Sequence, residues 1–206
     1  GVHRPHARPG EQMTSTSAPA TPPRQAGAPP AGPGETARGA AGPFAIFDQA
    51  TADTSAPDFD RIREIANAIV PFRRFVGIDI TEIDAERSVV EIPDRADLTN
   101  QLGTVHAGAL FLAADLAGAA AVAGALAARL SRFESLVVRD ARSAFRRPAR
   151  GRIRAVGLVD ERETRRVRAG TGPERFDLDV RAVLYDDADV VVARFHFDYA
   201  CAIAGD

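Results

Sequence analysis

The chain has 206 residues and a mass of 21.9 kDa, and its 45% apolar and 26% charged residues are typical of a soluble globular protein. The formal net charge of −2 excludes the basic excess that nucleic-acid-binding proteins usually carry. All 26 basic residues are arginine, which excludes Schiff-base chemistry and a P-loop lysine. The only cysteine, Cys201, excludes a disulfide framework and a thiolate metal cluster, and we expect a reducing, cytoplasmic setting.

The first 43 residues differ in composition from the rest of the chain. They contain nine of the 14 prolines and seven of the 17 glycines, with almost no large aliphatic residue. Such a segment cannot bury enough apolar surface to offset the entropy that ordering would cost. We therefore predict a disordered N-terminal tail over residues 1–43 and one folded domain over residues 44–206.

Hydrophobic patterning predicts one short helix and six strands in this domain. Asp58 can cap a helix whose apolar residues recur at three- and four-residue spacing as far as Ile69, and Pro71 is expected to end it. Apolar runs and alternating patterns predict the strands. Their expected ranges are 75–83, 88–92, 136–145, 153–159, 175–184 and 190–200.

Between the second and third predicted strands lies a long apolar segment, from His106 to Leu130. It is long enough to cross a bilayer, but it consists mostly of alanine and glycine and carries Asp115 near its centre, where an unpartnered carboxylate is costly. The flanking strands also need an element to cover their apolar face. We therefore predict an α+β fold in which one antiparallel sheet of about six strands wraps a long central helix. A strand hairpin precedes the helix, and a four-stranded meander follows it.

The pattern N-x-x-G-T-x-H-[GA]-G begins at Asn100 and ends at Gly108, and an aspartate, Asp115, lies seven residues further on. This sequence around the start of the helix resembles that of hotdog-fold acyl-CoA thioesterases of the phenylacetic-acid-degradation type. The later segment from Phe145 to Gly151 resembles the end of the strand that follows the helix in that family. The resemblance covers residues 72–200, and it implies a hotdog fold and the hydrolysis of an acyl-CoA thioester.

Asp115 is the first candidate catalytic residue, because a single carboxylate in an apolar helix is costly to bury and usually has a purpose. The resemblance implies that it acts as a general base on water or as a nucleophile on the thioester carbon. A structural pairing with an arginine from a neighbouring strand is the alternative. The helix-start amides of Ala107 and Gly108 are candidates to polarise the thioester carbonyl.

The resemblance gives further roles to the loop before the helix. It implies that Asn100 orients the thioester or the water, that His106 shapes the carbonyl-binding loop, and that Gly103 contributes to substrate binding. The helix dipole should keep the His106 imidazole neutral. Many relatives carry Ser or Thr near the start of the next strand to position the water or substrate, and here that place falls at Val138.

Helix geometry predicts that the site needs two chains. Gly108 and Asp115 are seven residues apart, which is ~10 Å along a helix axis, so one carbonyl cannot contact both within a chain. A two-fold axis that sets two such helices antiparallel would bring them together. We therefore predict a homodimer, and a dimer of dimers is common among such folds.

Three arginines in the segment after the third strand, Arg146, Arg147 and Arg150, are candidates to bind the phosphates of coenzyme A, since arginine suits bidentate phosphate contact. Coenzyme A is part of the substrate, and we expect no metal or other cofactor, no nucleic acid and no membrane partner. The predicted function is acyl-CoA hydrolysis to a carboxylic acid and free CoA. A non-catalytic acyl-CoA-binding hotdog module is the alternative, and a hotdog dehydratase or hydratase is third because its His-plus-acid motif is missing.

Overall fold

The structure is a computed structural model, and it describes residues 42–205. Most of the predicted tail, residues 1–41, lies outside the described residues. The α-helices are α1 (Phe59–Ile69), α2 (Pro71–Val76), α3 (Ala107–Ala125) and α4 (Glu161–Ala169). The strands are β1 (Asp79–Ile83), β2 (Ser88–Ile92), β3 (Phe133–Phe145), β4 (Ile153–Val159), β5 (Glu174–Tyr185) and β6 (Val191–Ile203). Short 3₁₀ turns occupy Ala45–Phe47, Ala96–Leu98 and Ala127–Arg132.

The six strands form one antiparallel sheet in the order β1-β2-β4-β5-β6-β3, and α3 packs against it. This arrangement confirms the predicted hotdog fold. The predicted four-stranded meander was wrong, because β3 pairs with β6 at the sheet edge and β4 instead joins β2 to β5. Alternation identifies each strand but carries no information about which strand it will pair with.

The region before β1 differs from the prediction in one element. Helix α1 is capped as expected, since the Asp58 side chain accepts a hydrogen bond from the Arg61 N–H at 2.9 Å. The predicted strand 75–83, however, begins only at Asp79, because the residues before it form α2. Pro71 occupies the first turn of α2, where its missing N–H costs nothing, and Gly77 ends the helix with a left-handed φ of 78°.

Helix α4 was not predicted. Its sequence is rich in arginine and glutamate, and only Thr164 and Val167 are buried, so it lacks the apolar periodicity that signals a helix. Asp160 caps it by accepting a hydrogen bond from the Arg162 N–H at 2.8 Å. The buried guanidinium of Arg129 donates to the Val167 carbonyl at 2.9 Å and so holds the end of α4 against the turn after α3.

The small residues of α3 let its backbone lie almost in contact with the sheet. A Cβ atom on Gly157 of β4 would lie 2.1 Å from the carbonyl oxygen of Ala117. The buried Ser88 hydroxyl of β2 donates to the same oxygen at 2.5 Å. Helix α3 is long and apolar enough to cross a membrane, but 72% of its apolar stretch is buried inside the fold. It is therefore a core helix. Only its first turn and the side that carries Phe111 and Asp115 are accessible for a site.

Candidate active site

The loop that precedes α3 is held closed by the Asn100 side chain. Its Oδ1 accepts hydrogen bonds from the N–H groups of Leu102 (2.9 Å) and Thr104 (3.2 Å), and its Nδ2 donates to the Thr104 hydroxyl at 2.9 Å. Gly103 sits at the tip with φ 67°, a conformation that glycine adopts readily. The amide of Asn100 thus fixes the shape of the loop that leads into the helix.

His106 caps the first turn of α3. Its Nδ1 accepts a hydrogen bond from the Gly108 N–H at 2.9 Å, so Nδ1 carries no proton in this arrangement. The same hydrogen bond occupies the Gly108 N–H, one of the two amides that we predicted to polarise the substrate carbonyl. The Ala107 N–H, by contrast, has no hydrogen-bond acceptor among residues 42–205. A helix-start amide of this kind is available to a ligand with developing negative charge.

An open cavity of about 480 Å³ lies beside this helix start. It brings together five of the predicted site residues: Asn100, Ala107, Arg146, Arg147 and Arg150. Apolar side chains complete its wall, namely Leu102, Val105, Leu110, Phe145, Pro148 and Ala149. The cavity therefore pairs an apolar surface with a basic margin, which suits a ligand that has an apolar part and an anionic part.

The three arginines at this cavity differ in their partners. Arg150 donates to the Gly103 carbonyl at 2.9 Å and so ties its segment to the helix-start loop. The backbone N–H groups of Arg146 and Arg147 donate to the Val192 carbonyl, at 2.8 and 3.2 Å. Their guanidinium groups are exposed, and no acidic side chain in the described part of the chain pairs with either. Two positive charges thus remain available at the cavity margin.

Asp115 lies two turns further along α3 and does not line this cavity. Its Oδ1 accepts a hydrogen bond from the Tyr199 hydroxyl at 2.7 Å, and no arginine of the described chain forms an ion pair with it. Burial raises the pKa of the Asp115 carboxyl above its ordinary value, and the hydrogen bond from Tyr199 opposes that rise. A carboxylate with a raised pKa and no paired cation is suited to accept a proton.

A row of aromatic rings connects the cavity to Asp115. Phe145, at the cavity and 52% exposed, packs edge-on against Phe195, and Phe197 follows on the same face of β6. Phe111, one turn before Asp115 on α3, is 40% exposed and packs edge-on against both Phe195 and Phe197. The carboxylate and the cavity therefore lie along one apolar surface with exposed rings.

Tyr199 was not among the site residues predicted from the sequence. The one available signal was its place in the inward-facing row of β6, where a tyrosine hydroxyl must find a partner once buried. Val138 of β3 is the cross-strand neighbour of Tyr199, and it supplies no hydroxyl group. Only the pairing of β3 with β6 shows that Val138 and Tyr199 are neighbours.

The family described as "Domain of unknown function (DUF4442)" matches residues 60–200. The chain belongs to this family. No curated protein matches the chain.

Solved structures show the same fold. A conserved protein from Pseudomonas aeruginosa is 25% identical, with a TM-score of 0.52 and coverage of 65% of this chain and 94% of that one. A second protein from that organism, described as a probable thioesterase, is 24% identical with a TM-score of 0.52, covering 70% and 95%. A thioesterase family protein from Silicibacter pomeroyi is 18% identical with a TM-score of 0.56, covering 70% and 98%. This chain therefore shares the fold of these solved proteins.

Proposed function

We propose that this protein hydrolyses an acyl-CoA thioester to a carboxylic acid and free CoA. The observation that carries the proposal is the Asp115 carboxylate, which lies partly buried in an apolar helix with a tyrosine hydroxyl on one oxygen and no paired cation. Its other oxygen, Oδ2, has no hydrogen-bond partner in the described chain, and Asp115 as a whole is only partly buried. An oxygen that is open to a water molecule is what a general base requires.

In the proposed reaction, Asp115 takes a proton from water while the water oxygen bonds to the thioester carbonyl carbon. The carbonyl π electrons move to oxygen, and the resulting tetrahedral oxyanion collapses and breaks the carbon–sulfur bond. The proton then passes to the departing CoA thiolate. If Asp115 instead attacks the carbon directly, a mixed anhydride forms and water hydrolyses it, giving the same products.

The start of α3 is the proposed oxyanion site. The Ala107 N–H points out of the first turn with no acceptor in the described chain, and the helix dipole favours negative charge there. The Gly108 N–H is already bonded to His106 Nδ1, so it is not proposed to bind the oxyanion directly. Its contact with His106 instead orders the first turn of the helix. Asn100 shapes the loop, with both ends of its amide bonded inside it.

The CoA moiety is proposed to bind through the basic margin of the cavity. Arg146 and Arg147 have no acidic partner among the described residues, and a guanidinium can contact phosphate oxygens with two parallel hydrogen bonds. Arg150 is partly committed to the Gly103 carbonyl and would align this segment with the helix start. The apolar wall would receive the acyl group or the pantetheine chain.

We propose that two chains form each site. Asp115 lies eight positions after Ala107 in one continuous helix, which is ~12 Å along its axis, so one chain cannot place both at the same carbonyl. A two-fold axis between antiparallel α3 helices would bring Asp115 of one chain to the helix start of the other. Strand β3 is an edge strand, and exposed Val137 and Phe145 on it suit burial in a homodimer. A dimer of dimers is compatible with this arrangement.

A thiol-release assay over a panel of acyl-CoA esters tests the proposal. The panel includes phenylacetyl-CoA because the motif resembles the phenylacetic-acid-degradation type. The Asp115→Asn variant keeps size and polarity but removes the base, so turnover should fall by ~10² or more while acyl-CoA binding survives. Asp48→Asn, at an exposed carboxylate in the N-terminal turn, is the matched control and should keep full activity.

Two other results would refute the proposal. Tight binding of an acyl-CoA without turnover by the wild-type chain would establish the non-catalytic binding module. Unfolding of Asp115→Asn would show a structural carboxylate. That result is not expected, because burial raises the carboxyl pKa, so ionisation at neutral pH costs folding free energy that the neutral amide does not.

A further inference from the structure

The Tyr199 hydroxyl lies between two oxygens of Asp115. It is 2.7 Å from the carboxylate Oδ1 and 3.0 Å from the main-chain carbonyl oxygen of the same residue. Tyr199 itself is only 2% exposed, so its ring is fixed by packing in the sheet core. A rigid donor of this kind restricts both the position and the rotation of the side chain that it contacts.

The helix leaves room for this hydroxyl at one glycine. Gly118 lies one turn after Asp115, and a Cβ atom there would be 3.1 Å from the Tyr199 oxygen and 3.0 Å from the Val180 Cγ1 atom. Both distances are shorter than ordinary contact, so a side chain at this position would press on the Tyr199 hydroxyl and on Val180. The inward-facing neighbours of Tyr199 on β6 include Phe195 and Phe197, which have no hydroxyl, so the donor is confined to the register position opposite the carboxylate.

One hydroxyl proton and two acceptors suit both protonation states of Asp115. When the carboxylate is ionised, the Tyr199 proton can point to Oδ1, where the negative charge makes the stronger acceptor. When Asp115 holds a proton, its own O–H can donate to the Tyr199 oxygen, and the Tyr199 proton can turn to the main-chain carbonyl. The Tyr199 hydroxyl and Asp115 Oδ1 then each keep a hydrogen-bond partner in either state.

We propose that Tyr199 is the positioning residue for Asp115: it holds Oδ1 toward the sheet and leaves Oδ2 facing the water that is to be activated. This inference rests on the proposed hydrolytic function of Asp115. It assigns Tyr199 no contact with the substrate, since the hydroxyl acts only through the carboxylate. Gly118 supports the arrangement by its lack of a side chain.

The arrangement has a consequence for pH dependence. Tyr199 is the titratable group that faces Asp115 in the described chain. Burial raises the pKa of Tyr199 well above its ordinary value, and burial raises that of Cys201, its neighbour on β6, to about 12, so both stay neutral near pH 7. The hydrogen bond from Tyr199 lowers the Asp115 pKa against the effect of burial. Its removal should therefore raise that pKa, and the acid limb of activity should move to higher pH.

Tyr199→Phe removes the hydroxyl and keeps the ring. We expect the acid limb of its kcat/KM profile, and the Asp115 pKa followed by carboxyl ¹³C NMR, to move upward by about one to two pH units, the scale of a lost hydrogen bond to a charged group. The chain has one other tyrosine, Tyr185, and Tyr185→Phe is the matched control, for which neither quantity should move. Gly118→Ala, which crowds the hydroxyl, should shift both in the same direction as Tyr199→Phe.

The NMR titration separates this inference from the proposed function. If the wild-type chain hydrolyses no thioester, the proposed function fails, and the Asp115 pKa in Tyr199→Phe still decides whether Tyr199 holds the carboxylate. If the wild-type chain is active but Tyr199→Phe lowers turnover without moving the acid limb or the pKa, the inference is overturned and Tyr199 is only a packing residue. If Tyr199→Phe fails to fold, Gly118→Ala gives the decision by the same two measurements.

Discussion

Replacing Gly157 with alanine tests how closely the central helix must lie on the sheet. The added Cβ would be 2.1 Å from the Ala117 carbonyl oxygen, 2.5 Å from its carbon and 2.7 Å from the Ser88 hydroxyl oxygen. Ordinary van der Waals contact begins at 3.4 Å, so the Cβ would lie more than an ångström too close to the carbonyl oxygen. The two nearest of these atoms belong to the helix backbone, which cannot swing aside as a flexible side chain could.

The helix must therefore retreat from β4 by about 1 Å, and the contacts on either side of Ala117 loosen with it. Forcing a methyl group into a packed core costs about 1–3 kcal/mol. Loss of the 2.5 Å hydrogen bond from Ser88 to Ala117 adds about 1 kcal/mol. For a domain of this size each kcal/mol lowers Tm by about 2–4 °C, so we expect a fall of about 4–16 °C.

Scanning calorimetry measures this fall, and Gly172→Ala is the matched control. A Cβ on Gly172 would meet nothing within 4 Å, so that substitution should leave Tm close to the wild-type value. If Gly157→Ala unfolds within 2 °C of this control, on the order of the shift produced by 1 kcal/mol or less, the close contact between α3 and β4 does not exist as described. Asp115 lies two residues before Ala117, so thioester hydrolysis by Gly157→Ala should fall together with its stability.

Two further predictions concern the assembly and the substrate. The Asp115→Asn and Gly108→Val variants should each be inactive. Mixed dimers formed after subunit exchange should regain part of the turnover, because one of their two sites can be whole. If no turnover returns after confirmed exchange, the site lies within one chain. Replacing both Arg146 and Arg147 with glutamine should raise KM for acyl-CoA by about tenfold or more, the scale of one lost charge-assisted contact, with little change in kcat. The same double variant should hydrolyse an acyl-N-acetylcysteamine thioester, which has no phosphate, as well as the wild type does, and an equal loss on both substrates would show that these arginines do not bind phosphate.

Local signals were sufficient wherever a residue's neighbours in sequence determine its structure. Asp58 predicted the start of α1, because a capping side chain acts within one turn of its own position. Alternating patterns located β5 and β6 to within a few residues, because the two faces of a strand meet opposite environments. Pro71 was ambiguous by the same logic, since proline can end one helix and begin the next.

In the candidate site, too, some features follow from the local sequence and others only from the tertiary structure. The sequence by itself identified Asp115 as a lone carboxylate in an apolar helix and gave its distance along the helix from Gly108, because helical rise is constant. Only the tertiary structure showed that Tyr199 is its partner, that the Gly108 amide is occupied by His106, and that an exposed pair of arginines lies beside the helix start. Tyr199 is 84 residues from Asp115, and their contact depends on which strands pair and on how closely α3 approaches the sheet. The order of the strands and the distance between α3 and the sheet are set by packing over the whole domain, so no local pattern of residues can encode them.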